Sequence, residues 1–341
     1  MKKTHSNLLP RLEEHFRDRR FFKVRQKILV ACSGGPDSVA LFHLLRALIT
    51  KYDWKLGLVH FNHQLRPSDA KKDERFVKAL ARKFKAPFYC GTGSVKHEAK
   101  RTKTSIEEAA RKMRYDFFLQ TAQAKKFQAI ALAHTRDDQA ETVLMRVLQG
   151  TGLRGLQGIR EKFRTGRVTW VRPLLVFTKK ELLQYLTEQK IFYRFDKSND
   201  SSRFIRNRIR LELIPQLQRD FNPRVVEALS RIPAIVAGES ALIEELEEKA
   251  WKKTFKKRRG KNVELRRSVF LKSPPALQFR IVEKALKMLN KQSGLSFEAW
   301  ERIRQGLVRH RYRSSLPKDI DFALTPKNVT IFMKQEVHNQ I

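Results

Sequence analysis

The sequence has only two cysteines in 341 residues, Cys32 and Cys90. They lie far apart and form no C-x-x-C pair. That argues against a disulfide scaffold, a zinc ribbon or an iron–sulfur cluster, and it fits a reducing, cytoplasmic setting. Long apolar runs are also missing. No window approaches the roughly 18 apolar residues of a membrane span, so no membrane insertion is expected. The opening "MKKTHSNLLPRLEEHFRDRR" has no continuous apolar stretch of the kind a signal peptide needs. No Walker A loop, internal repeat or low-complexity tract occurs. Acid is scarce: 72 basic side chains stand against 35 acidic ones, a net charge of +37. Like charge on this scale opposes compaction unless a polyanion offsets it. Nucleic acid is the leading partner, ahead of an anionic membrane surface.

What is present is a 41% hydrophobic chain long enough for two domains. Leu8, Leu9, Leu12 and Phe16 have the spacing of a short amphipathic helix within residues 1–22. Strand-like and helix-like segments then alternate: "KILVAC", "LGLVHF", "PFYCG" and "AIALAH" are each followed by a helical pattern. Near-continuous apolar strands alternating with helices predict an α/β fold, a doubly wound parallel sheet covered on both faces. Ligands of such sheets sit at the strand carboxyl ends. From about residue 216 the pattern becomes mainly helical and basic, after Pro215 and with Asn222–Pro223 at the boundary. "IDFAL" and "VTIFM" predict a hairpin near the end. The expected domains are thus 23–215 for catalysis and 216–341 for binding nucleic acid.

The first predicted strand runs into Ser33-Gly34-Gly35-Pro36-Asp37-Ser38. Glycines let successive backbone N–H groups turn toward an anion. Pro36 suits the first turn of the helix, whose positive dipole end points at the same place. This favours a phosphate site over an ordinary turn. By contrast, the G-x-G-x-x-G of Gly150, Gly152 and Gly155 follows a helix, not a strand, and reads as a helix end rather than a dinucleotide loop.

Asp137, Asp138 and Glu141 form a second constellation, in "AHTRDDQAETVLMRVLQGTGLRGL". Asp138 and Glu141 share one face at a helix start. A lone acid there would only stabilise the helix dipole. A cluster at a strand carboxyl end, in so basic a chain, points to function. It could bind Mg²⁺, grip the ammonium of a small cationic substrate, or take a proton from an amine. His60 and His63 lack the companions of a zinc site and fit a nucleotide-pocket rim or ordinary packing. Ser105 and Glu108 have capping-box spacing. Arg111 and Arg114 share a helix face and are candidates for phosphate contact. Arg203, Arg206, Arg208 and Arg210 crowd one short segment, where guanidinium forks suit phosphate. "WKKTFKKRRGK" carries seven basic residues in eleven, Lys256, Lys257, Arg258 and Arg259 among them, and reads as a footprint for a nucleic-acid backbone.

"SGGPDS" resembles the signature of the pyrophosphate-loop ATP pyrophosphatases. With "VHFNHQLR", "EEAARKMRY", "RPLL" and "DKSNDSSRFIRNRIR" in order, residues 24–215 resemble one branch, the bacterial tRNA(Ile)-lysidine synthetases. The resemblance implies that Ser33, Gly34, Gly35, Pro36 and Ser38 hold the pyrophosphate of ATP, with His60 and Arg111 beside the nucleotide and Asp37 serving Mg²⁺. It implies adenylation of the wobble cytidine of a tRNA(Ile) with anticodon CAU, then attack by free L-lysine. The product would read AUA as isoleucine. Asp37, Asp138, Glu141 and Arg206 would be catalytic. Arg114, Arg203, Arg208, Arg210 and the four basic residues from Lys256 to Arg259 would meet the tRNA. Larger members carry a further C-terminal domain, and the shorter architecture is expected here, with homodimer formation left open. The rival readings are a tRNA thiolase, which two isolated cysteines serve poorly, a small-molecule ligase, which +37 does not explain, and a nucleic-acid-binding protein that uses ATP only structurally.

Overall fold

The computed structural model describes residues 8–64, 67–194, 205–290, 294–317 and 319–334. The chain divides into two compact units, Met1–Val236 and Ala237–Ile341.

The first unit is built on six strands, β1 (Lys27–Ala31), β2 (Lys55–Asn62), β3 (Phe88–Thr92), β4 (Ala129–Ala131), β5 (Lys162–Thr165) and β6 (Val168–Val171). Their order is β3-β2-β1-β4-β6-β5. All neighbours are parallel except β5, which pairs antiparallel with β6. The period-2 alternation of the strands sorts the core into two layers. Ile28, Val30, Leu56 and Leu58 face one layer with Leu41, Leu45 and Leu174. Leu29, Val59 and Ile130 face the other with Phe118 and Trp170. The near-continuous apolar strands therefore reflect burial on both faces. The β5–β6 hairpin, turning at Gly166 with φ +58°, was not legible in the alternation of strands and helices.

The order also fixes where a ligand can sit. β1 is flanked by β2 on one side and β4 on the other, so the chain leaves β1 and β4 in opposite directions. The crevice opens at this reversal, outside the strand carboxyl ends. Both polar constellations leave their strands there.

The second unit carries an antiparallel sheet of β7 (Phe255–Arg259), β8 (Asn262–Arg266), β9 (Tyr312–Leu316), β10 (Ile320–Leu324) and β11 (Asn328–Met333), in the order β7-β8-β11-β10-β9. The helices Pro275–Leu289 and Phe297–Gly306 contribute Ile281, Ala285, Trp300 and Ile303 to a core with Val263, Phe322 and Ile331. The β10–β11 hairpin matches the sequence reading. The basic run around Lys257 does not continue the preceding helix. It forms edge strand β7, turning into β8 at Gly260 with φ +52°. Lysine and arginine on an edge strand also protect it from pairing with another chain. Among the described residues no helix is long and apolar enough to cross a membrane.

Candidate active site

The loop after β1 is held by its own side chains. Ser38 Oγ donates to the Gly35 carbonyl at 2.9 Å and accepts from the Ser33 N–H at 3.2 Å. From β2, the His60 ring Nδ1 lies 2.9 Å from the Cys32 carbonyl, and Arg194 N–H donates to the Gly34 carbonyl at 2.8 Å. His60 thus braces the base of the loop. Gly34 has φ +94°, a conformation side chains rarely adopt, and an added Cβ would also meet Phe76 at 3.4 Å. Gly35 differs. Its φ is −71°, and an added Cβ would meet only Ser33 Oγ, at 3.5 Å. Among the described residues nothing else crowds that position, so the free space is available to an incoming group.

Pro36 opens the helix Pro36–Ala47 and Asp37 follows in its first turn, with Gly35 at the cap. Asp37 Oδ1 is buried without a hydrogen-bond partner. Burial pushes its carboxyl up to about 7, with Asp138 and Asp137 adding to the rise and Lys179 and Arg210 opposing it. An orphaned buried carboxylate oxygen beside a phosphate-type loop suits a hard divalent cation. Such a cation takes one or two protein carboxylates and fills its shell with phosphate and water.

The helix Arg136–Leu148 follows β4, closed by a capping box between Thr135 and Asp138. Thr135 donates to Asp138 Oδ2 from its N–H at 2.8 Å and from its hydroxyl at 2.9 Å. Asp138 Oδ1 then faces Lys179 Nζ at 3.3 Å, Arg206 Nη2 at 3.4 Å and Arg210 Nη2 at 3.6 Å. Glu141, one turn on, has a side chain only 1% exposed. It accepts from Arg206 Nε at 2.9 Å and from Arg210 Nε at 2.6 Å. Lys179 Nζ is 3.5 Å away. Burial alone would raise both acids. Lys179 and Arg206 outweigh it at Asp138, and the Arg210 hydrogen bond and Lys179 outweigh it at Glu141, so both carboxyls sit below the ordinary range. Two buried carboxylates and three cations thus form one network.

A cavity of about 270 Å³ adjoins this network, lined by Arg111 and Arg114 from the helix Ile106–Ala124, by His134, and by Asp138 and Arg206. Burial lowers His134 to about 3, and Arg172 adds to the effect, so the ring is neutral at pH 7. His63 is likewise lowered to about 4 by burial and Arg114. The cavity wall therefore joins two stretches that the sequence reading treated separately.

Other expected site residues are placed elsewhere. Arg210, expected on RNA, turns its fork onto Glu141. Arg208 is exposed, 3.7 Å from Glu212. Arg203 lies outside the described residues. Lys256, Lys257, Arg258 and Arg259 lie on β7 in the second unit, where Lys256 and Lys257 approach Glu264 at 3.8 and 3.5 Å. Asp137 is used structurally, accepting from the Lys179 N–H at 2.8 Å. Lys179 is the residue the sequence reading missed. It begins the helix Lys179–Glu188 inside a Thr178–Glu181 capping box, a local signal that names a helix start and nothing more. Cys32 is buried and Cys90 half-buried, and burial pushes both thiols up to about 11.

Comparison with known proteins adds to this geometry. The family profile described as the PP-loop domain matches residues 5–217. A protein of Clostridium acetobutylicum named tRNA(Ile)-lysidine synthase is 37% identical over 67% of this chain and 49% of its own length. A Symbiobacterium thermophilum protein of the same name is 36% identical over 83% of this chain and 60% of its own. The chain spans about half the length of the curated relatives it matches. Among solved structures, the U34-tRNA thiolase NcsA from Methanococcus maripaludis superposes with a TM-score of 0.56 at 16% identity, covering 67% of this chain and 79% of that one. That likeness concerns the fold.

Proposed function

The chain belongs to the PP-loop domain family, and on that premise we propose that it joins free lysine to C2 of the wobble cytidine of a tRNA(Ile) with anticodon CAU, at the expense of ATP. The observation that carries this reading is the buried Asp138–Glu141 network set beside a phosphate-type loop at the reversal of the parallel sheet. The names of the relatives supply the substrate class.

The chemistry follows from the groups present. The cytidine O2 is a poor leaving group. Attack by O2 on the α-phosphorus of ATP forms an O–P bond and expels pyrophosphate. Ser33, Gly34, Gly35 and Ser38 and the helix N-terminus after them would receive that pyrophosphate. Mg²⁺ held by Asp37 would neutralise phosphate charge. Arg111, Arg114 and Arg206 would balance the charge on the α-phosphate. The lysine amine, having lost a proton, then attacks C2 and AMP departs with the former O2. The carboxylates of Asp138 and Glu141 are both held below the ordinary range, which makes them weaker bases than free carboxylates. They suit gripping an ammonium better than deprotonating one. The cytidine would have to leave its stack to reach the cavity.

The test is AMP release from the protein with ATP, Mg²⁺ and an isoleucine tRNA transcript bearing CAU, with and without lysine, beside a methionine tRNA. Release that needs both the isoleucine tRNA and lysine is expected. Release independent of lysine, or equal with the control tRNA, would refute the reading. A sulfur-transfer alternative gains nothing from two thiols that burial keeps protonated.

A further inference from the structure

A second cavity of the first unit lies away from the candidate active site. It has a volume of about 420 Å³ and opens at the amino edge of the parallel sheet, beside the first residues of β1 and β2. β1 separates it from the phosphate-type loop by five residues of extended chain, roughly 16 Å. Its volume falls in the range of about 300–1,000 Å³ typical of ligand sites.

Five cations line it, Lys27, Arg46, Lys55, Lys85 and Lys125, and no acidic side chain does. None of the five makes an ion pair among the described residues. Phe42 and Phe127 form a buried apolar floor, and Phe84 and Tyr89 are half-buried at the wall. The Arg46 guanidinium stacks over Phe84 at 4.1 Å. A guanidinium plane backed by a ring is a platform on which a base can stack. At the other end of the sheet, by contrast, Lys179, Arg206 and Arg210 each meet an acid. Five unpaired cations around one opening cost self-repulsion that a bound anion removes.

We propose that this cavity is a second binding site, taking a nucleotide of a single-stranded RNA segment, with the base against the aromatic wall and the neighbouring phosphates on the rim cations. A strand is favoured over a free mononucleotide because one phosphate group carries about two negative charges at most. That leaves most of the rim unneutralised. It is favoured over an acidic peptide because the rings and the guanidinium plane have no counterpart on a carboxylate chain. The site is independent of the lysidine reading. It predicts affinity for single-stranded RNA whatever the catalytic end does.

The test uses the full chain and a single-stranded oligoribonucleotide carrying 5-iodouridine. Photo-crosslinking is expected to mark the peptide that contains Phe84 or Tyr89. The triple variant Lys55→Gln, Lys85→Gln, Lys125→Gln is expected to lose that cross-link and to weaken binding about tenfold. Its plot of log affinity against log salt should become shallower by about 2, at about 0.7 per lost phosphate contact on a single strand. The melting temperature, followed by circular dichroism, should be unchanged. Arg46→Gln gives an independent variant, with the same loss of cross-link. No cross-link on that peptide, an unchanged salt slope, or equal competition by AMP or by polyglutamate of matched charge would each overturn the proposal.

Discussion

The two edges of the six-stranded sheet treat charge in opposite ways. At the carboxyl edge Asp138 and Glu141 are buried and both pair with Lys179, Arg206 and Arg210. At the amino edge five cations surround a cavity without one acid. The first arrangement is paired within the protein. The second has no acid of its own among the residues that line it. Net charge, +37 for the chain, does not distinguish them. Pairing does, because a buried charge needs a partner and an exposed one needs only water.

The most severe way to break this contrast is Glu141→Ala. It leaves two guanidiniums and an ammonium facing an empty, buried position. A loss of about 3–5 kcal/mol in urea unfolding is expected, with loss of AMP release. A change under 1 kcal/mol would mean the network is not the structural anchor its burial implies.

The two loop glycines come next and separate backbone need from ligand need. Gly34→Ala places a side chain at φ +94° and should cost about 1–2 kcal/mol. Gly35→Ala sits at an ordinary φ with open space. As a change at the helix cap it should cost no more than about 1 kcal/mol, while ATP affinity, read by calorimetry, falls at least tenfold. Equal loss of stability in both would remove the reason for assigning Gly35 to a ligand.

Acid unfolding sharpens the contrast further. The usual carboxyl values are 3.8 for Asp138 and 4.5 for Glu141, and both are lowered in the folded protein. The unfolded chain therefore takes up protons first as pH falls. The stability these groups supply is complete above about pH 4.5 and drains away below it. Glu141→Gln should flatten the fall in melting temperature between about pH 4.5 and 3. A steeper fall in the variant would reverse the assigned sign.

The smallest expected effect is at the other edge. Lys55→Gln and Lys85→Gln remove unpaired charges and should change stability by no more than about 0.5 kcal/mol. A loss above 1 kcal/mol would show that the amino-edge cations are paired after all.

Much of this was open to a reader of the sequence. The strand and helix alternation, the turn at Ser33–Ser38, the capping box at Ser105 and the hairpin β10–β11 all rest on local rules of periodicity and hydrogen bonding. The β5–β6 hairpin and the strands β7 to β9 were not, because short basic or polar strands carry little apolar alternation. Lys179 was missed for another reason. It lies 41 residues from Asp138, and its local surroundings announce only a helix start. Arg210 looked like a free phosphate ligand because the segment around it is crowded with arginines, whereas Glu141, 69 residues away, holds it.

Residue type and near spacing already carry the chemistry of this protein: a phosphate-type loop, a small set of acids and a large excess of cations. Which of the described cations are committed to an acid depends on the fold. Pairing across tens of residues depends on strand order, and the reversal between β1 and β4 is what brings Asp37, Asp138, Glu141 and Lys179 together. Among the described residues no acid pairs with Lys27 and Lys55, at the far edge of the same sheet, or with Lys85 beside them.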